Sequence, residues 1–197
     1  MGAWTAAESV MATGRRLVLT GIGQWVGRKS PARVDELMST GVKTCSPRQS
    51  LADAAQIMWE CDCGCVPVVD ASGRVAGMIT DRDICMSAYF RGATLREIAI
   101  ADAMSRRVLA VRPNDSVQDA EALMRRVQVR RLPVADAEGR LLGMLSLGDI
   151  AIAAEGRGRS RGSRGPAGID LREVALTLSA VSKERAVVGR HSDRTPS

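Results

Sequence analysis

Aromatic side chains are nearly missing from this 197-residue chain, which holds three Trp, one Tyr and one Phe. Its core must therefore be built from Val, Leu, Ile, Met and Ala, a set that suits small mixed units of strand and helix. Histidine is scarcer still: His191, in a polar end, is the single copy. That excludes histidine-based acid–base chemistry from the body of the chain, and no pair of acids with a nucleophile recurs, so no enzymatic activity is expected. Gly21 and Gly23 lack the rest of a dinucleotide fingerprint. Long apolar runs are also lacking. Leu17 to Val26, behind Arg15 and Arg16, imitates a secretory signal but is broken by Thr20, Gly21, Gly23 and Gln24, and it falls short of the roughly 20 residues that span a bilayer. The expectation is a soluble, cytoplasmic protein.

The net charge of +6 is unevenly spread. Residues 1–33 carry five bases and one acid, 34–155 carry 14 bases and 17 acids, and 156–197 carry nine bases and four acids. The basic excess sits in the two flanks, so the mildly acidic middle offers no nucleic-acid-binding face, and no membrane partner is indicated. The cysteines, Cys45, Cys61, Cys63, Cys65 and Cys85, are odd in number and irregularly spaced, which argues against a secreted disulfide framework.

What is present is a repeat. Shifted by 66 residues, Val34–Ile84 aligns without a gap on Ile100–Ile150, and 18 of the 51 pairs are identical. Each copy reads as strand, helix, strand, strand, helix. The first strands are Val42–Cys45 and Val108–Arg112. Ser50 and Ser116 stand at helix N-caps. The helices that follow place Leu51, Ala54, Ala55, Ile57, Met58 and Cys61, and Val117, Ala120, Leu123, Met124 and Val127, on packing faces. Hairpins run from Cys65 to Val69 and from Arg131 to Ala135, through Asp-x-x-Gly turns at Asp70–Gly73 and Asp136–Gly139, into Val75–Ile79 and Leu141–Leu145. Second helices start at Thr80 and Ser146. Neither copy can bury so small a sheet alone, so the two should pack about a pseudo-two-fold axis. Thr94-Leu95-Arg96-Glu97 reads as a capping box opening a connecting helix towards Met104. After Asp170, a short helix is expected to bury Val174, Leu178 and Val181.

Each copy ends in a shared pattern, Gly77-Met78-Ile79-Thr80-Asp81-Arg82-Asp83 and Gly143-Met144-Leu145-Ser146-Leu147-Gly148-Asp149. A hydroxyl at a helix start and a carboxylate three residues on share one face, and an ionised carboxylate can accept the two neighbouring hydroxyls of a ribose. The same residues also make a helix cap, and the two roles are compatible. With the x-Pro-Val-x-Asp hairpin and the element order, this pattern resembles the CBS domain, which occurs in pairs, and most closely the small stand-alone actinobacterial members. The resemblance covers about residues 34–153.

The resemblance implies an α+β (mixed α/β) fold of two tandem β-α-β-β-α CBS repeats. The division is an N-terminal extension (1–33, flexible), repeat one (34–92), repeat two (93–154), an Arg/Gly/Ser linker (155–168), and a short helix with a disordered tail (169–197). It implies a regulatory sensor in which Thr80 with Asp83, and Ser146 with Asp149, hold the ribose of an adenosyl ligand, either AMP, ADP, ATP or S-adenosylmethionine. Adenine would lie near Val42, Lys43, Thr44, Val66, Leu109, Ala110 and Leu132. Arg82, Arg130 and Arg131 are the nearest cations for phosphates, although Arg125, Arg126, Arg130 and Arg131 read equally as a solvated helix end and strand start. Copy one has Gly64-Cys65 where copy two has Arg130-Arg131, so the sites are expected to differ. A homodimer is implied, with a protein partner unspecified and no required cofactor. Two other readings stand beside it: a ligand-independent dimeric scaffold or stress-response signalling protein, and a thiol or metal sensor built on Cys61, Cys63 and Cys65 with Cys45 as a fourth zinc ligand. Small packed side chains are the simpler reading of those cysteines.

Overall fold

The computed structural model describes residues 31–155 and 169–183; the N-terminal extension to residue 30, the linker from 156 and the end beyond 183 lie outside the described residues. Among the described residues nine α-helices and β-strands follow one another: α1 (Leu51–Glu60), β1 (Cys65–Val69), β2 (Val75–Thr80), α2 (Asp81–Arg91), α3 (Val117–Val127), β3 (Arg131–Ala135), β4 (Leu141–Ser146), α4 (Leu147–Glu155) and α5 (Leu171–Ser182). β1 pairs antiparallel with β2, and β3 with β4, in equivalent register. The Asp-x-x-Gly turns form as expected. Asp70 Oδ1 accepts from the Ser72 and Arg74 amides, Asp136 Oδ1 from those of Glu138 and Arg140, and Gly73 and Gly139 take positive φ.

The expected first strands shrink to single bridges, Cys45 with Val68 and Val111 with Val134. Pro47 and Pro113, which have no N–H to donate, stop pairing at the far end of each. The connecting helix also fails to form. Glu97 does accept from the Thr94 amide and hydroxyl at 2.8 and 2.9 Å, but only a short 3-10 turn follows, at Ile100–Asp102. The intervening backbone is taken by copy one: Leu51 N–H donates to Ile98 O and Ile100 N–H to Gln49 O. Tertiary pairing overrides the local cap.

The same trade occurs in reverse, which makes the pseudo-two-fold relation explicit. Ala32, 66 residues before Ile98, accepts from Val117 N–H; Ser39 bridges Met144 on β4, and Ser105 bridges Met78 on β2. Arg74 and Arg140 bridge each other at the turns. Each copy is thus completed by the segment that precedes the other. The cores follow that exchange: one gathers Cys45, Leu51, Ile79, Ile98 and Ile100, the other Val34, Met124, Leu132, Leu145 and Ile150. Each such fully buried aliphatic side chain contributes about 1.5 to 3 kcal/mol.

Of the helix faces, Leu51, Ala54 and Met58, and Val117, Ala120 and Met124, are buried as expected. Cys61 is not, because α1 ends at Glu60 and leaves Cys61 exposed at the C-cap. α5 forms behind its Asp170 cap and packs on α3 and α4 with Val174 and Val181 inward as expected, but Leu178 does not join them. Val174 and Thr177 are buried, whereas Leu178 is half exposed. The register is set by polar contacts: Arg125 donates to Thr177 Oγ1 at 2.8 Å and lies 3.3 Å from Glu173, and Thr177 reaches the buried Glu121 at 3.4 Å. Arg125 is therefore tied to α5 and is not part of a solvated helix end.

Burial raises the pKa of Glu121, opposed by Arg125 and Thr177. A carboxyl whose folded pKa lies above its unfolded value loses stability as pH rises through that interval. Glu121→Gln should therefore raise the melting temperature at pH 7 relative to the parent, and the gain should vanish as pH falls below the usual carboxylate range. Thermal melts across pH 4 to 8 check this, and a variant equally less stable at every pH would contradict it.

Candidate functional site

The two hydroxyl–carboxylate pairs sit where a hairpin strand turns into a helix. Thr80 is N-cap of α2, and its hydroxyl and amide both donate to Asp83 Oδ2, at 2.7 and 3.0 Å, while Asp83 N–H returns a bond to Thr80 Oγ1 at 3.2 Å. Ser146 and Asp149 repeat this at 2.7, 2.8 and 3.1 Å. One carboxylate oxygen is consumed by the cap. Oδ1 of each half-buried aspartate has no protein donor among the described residues, and it remains an acceptor open to a further hydrogen-bond donor.

The cap alone is not diagnostic. Ser50 and Asp53 make the same reciprocal box on α1, which holds the Asp53 carboxyl below its usual range, and Ser116 pairs with Asp119 on α3. Surroundings distinguish the pairs. Cys65 lies across from Thr80 and Arg131 across from Ser146 in the hairpin register. The chain entering the helix is pinned to the start of the first hairpin strand, with Asp81 N–H donating to Gly64 O at 3.1 Å and Leu147 N–H to Arg130 O at 2.9 Å. The copy-two motif and the Arg130-Arg131 pair are therefore adjacent, as the sequence suggested.

The other candidates are distributed as follows. Val42, Lys43 and Thr44 precede the Cys45 bridge along the free side of β1, and Leu109 and Ala110 precede the Val111 bridge along β3, so each group flanks its own hairpin. Lys43, Leu109 and Ala110 are exposed; Val42 and Thr44 are half-buried. Val66 and Leu132 are fully buried in the two cores, which leaves only their backbone for a base. Arg82 is exposed on α2 one residue before Asp83. Arg130 also reaches α5, at 3.4 Å from Ser182 Oγ.

Two features escaped the sequence reading. Arg131 and Cys65 occupy equivalent positions in the two copies, and they meet: burial pushes the Cys65 thiol up while the Arg131 guanidinium pulls it back down. The 66-residue offset that pairs them was the available signal. The second is a cleft of about 500 Å³ beside the copy-one motif, lined by Met58, Trp59, Asp62, Cys63, Gly64 and Asp81. Its residues are scattered over a helix end and a turn, so no motif announces it.

The cysteines do not converge. Among the described residues no group of three or more His, Cys, Asp or Glu side chains is placed to hold a metal ion. Cys61 is exposed, Cys63 and Cys65 are half-buried, and Cys45 is inside the copy-one core with its pKa pushed up to about 11 by burial and by Asp53. Among the described residues Cys45 is therefore not gathered with Cys61, Cys63 and Cys65 into a ligand set.

Compared with known proteins, the model of the CBS domain matches twice, at residues 34–88 and 96–156. The chain belongs to the CBS-domain family. Its two domains align with CBS domain-containing protein YhcV of Bacillus subtilis, 38% identical over 119 residues that make up 60% of this chain and 83% of that protein. Hypoxic response protein 1 of Mycobacterium tuberculosis is 34% identical over 116 residues, 59% of this chain and 80% of that one. A crystal structure of Hypoxic Response Protein I with two coordinated zinc ions superposes at TM-score 0.56 and 32% identity, covering 61% of this chain and 97% of the other. CBSX2 of Arabidopsis thaliana in complex with AMP superposes at TM-score 0.57 and 26% identity, covering 65% and 99%. The CBS pair of this chain is thus shared with small proteins made of little else, and among its described residues no helix is long and apolar enough to cross a membrane.

Proposed function

We propose that this CBS pair is a regulatory module, without catalysis of its own, that binds an adenosyl ligand and passes its occupancy to a partner. It works as a cytoplasmic homodimer. The observation that carries the reading is the unpaired Oδ1 of Asp83 and Asp149, each held in place by a cap that fixes Oδ2 and each beside a strand edge able to receive a base. The AMP complex of CBSX2 supports the ligand class. Both copies contribute backbone to one another, so a ligand that binds one packing arrangement of the copies better than another shifts the population between them.

A thermal-shift scan of the full chain against AMP, ADP, ATP, S-adenosylmethionine and GMP tests this. At 100 times its dissociation constant a ligand stabilises by about 2.7 kcal/mol. For a chain of this size that is roughly 5 to 10 °C in melting temperature. The expected result is a shift with an adenosyl compound and none with GMP. Silence with all of them would favour the ligand-independent scaffold.

A further inference from the structure

We propose that the two adenosyl sites are sorted by charge: the copy-two site takes a phosphorylated ligand on Arg130, and the copy-one site takes a cationic group in the cleft walled by Trp59, Asp62 and Asp81. The inference rests on the adenosyl reading above and goes further by assigning a chemical class of ligand to each site.

The pseudo-two-fold relation allows the comparison to be made position by position. The backbones agree, since Asp81 is bonded to Gly64 as Leu147 is to Arg130. The side chains therefore differ on a common frame. Where copy two has Arg130 and the uncharged Leu147 and Gln128, copy one has Gly64, Asp81 and Asp62. The Asp81 carboxylate lies over the glycine: a Cβ placed on Gly64 would be 3.1 Å from Asp81 Oδ2. Where copy two carries a guanidinium, copy one thus presents a carboxylate. Arg131 stands beside Cys65 of copy one, so it is shared by both sites and does not discriminate between them. Arg82 of copy one faces Gly148 of copy two, so copy one has one cation against two carboxylates, Asp62 and Asp81, where copy two has Arg130 and no carboxylate at these positions.

The copy-one cleft has the composition of a cation site. Its volume of about 500 Å³ accommodates the end of a small ligand. Trp59 is 88% exposed at the end of α1, leaving an indole face available to a cation, and two carboxylates stand beside it. A phosphate about 5 Å from Asp81, at the effective dielectric of a protein surface, would be disfavoured on the order of 100-fold. A sulfonium or ammonium there would be favoured. Asp81 directly follows Thr80, so this wall adjoins the Thr80–Asp83 pair.

Calorimetric titration of the full chain with AMP and, separately, with S-adenosylmethionine reads both sites. AMP should bind once per chain, weaken about 10-fold in Arg130→Ala, and gain a second site in Asp81→Asn. S-adenosylmethionine should weaken about 10-fold in Asp81→Asn and Asp62→Asn and bind Arg130→Ala like the parent. The Asn variants keep the size of the side chains they replace. Two AMP per parent chain, or S-adenosylmethionine indifferent to both Asn variants, would overturn the sorting while leaving the adenosyl reading in place. Failure of both compounds to bind the parent chain would overturn the two together.

Discussion

Gly143→Val should cost about 3 kcal/mol or more and lower the melting temperature by roughly 6 to 12 °C, among the largest single-site losses in this protein. Any Cβ at Gly143 meets the Met38 sulfur and the Ser39 carbonyl oxygen, and the carbonyl cannot withdraw easily, because Ser39 both donates to and accepts from Met144. The segment that would be displaced is the one through which copy one's leading chain completes the copy-two sheet. Gly77→Val should act alike, since its Cβ would lie 2.8 Å from Met104 Sδ and 2.9 Å from Ser105 O. Gly73→Ala makes the contrast, because nothing lies within 4 Å of its Cβ and only its φ of 79° is at stake. That strain is worth about 1 to 2 kcal/mol. Chemical denaturation of the three variants checks the ranking, and equal losses at Gly143 and Gly73 would contradict the role given to the exchanged segments.

Asp149→Ala should abolish most nucleotide affinity at copy two, on the order of 10- to 100-fold, because a hydrogen bond to a charged group contributes about 1.5 to 3 kcal/mol. It should also cost stability, since Ser146 loses its box partner, and an N-cap contributes about 1 kcal/mol. Asp53→Ala separates the two effects. Asp53 makes the same three bonds to Ser50 on α1, away from both motifs, so its loss should lower stability by a similar amount and leave AMP affinity unchanged. If both variants lost affinity equally, Asp149 would be acting through the fold and not on the ligand. If neither did, the ribose assignment would be wrong.

Much of this was legible in the amino-acid sequence because a gapless repeat shows each local signal twice. Hairpins announced by Asp70-x-x-Gly73 and its mate formed, as did the caps at Ser50, Thr80 and Ser116. What escaped was non-local. Thr94 and Glu97 satisfied their own capping rule, but the chain beyond them was recruited to Gln49 and Leu51. The repeated place of Gly77 and Gly143 in each motif gave no hint that the other copy's backbone presses there. On α5, helical periodicity favoured Leu178, yet the polar Thr177 won the buried position because Arg125 and Glu121 offered partners for its hydroxyl. At the site, the motif singled out the hydroxyl–carboxylate pairs, whereas the copy-one cleft needed the fold to bring Trp59 and Asp81 onto one wall.

The central claim is that an adenosyl ligand sits on the helix-start aspartates, and a crystal structure of the full chain grown with AMP tests it most directly. The account predicts the ribose hydroxyls on Asp149 Oδ1, the base beside the strand edge near Leu109 and Ala110, and the phosphate towards Arg130. Crystals that hold AMP elsewhere, or leave both aspartates without a ligand at saturating AMP, would contradict it.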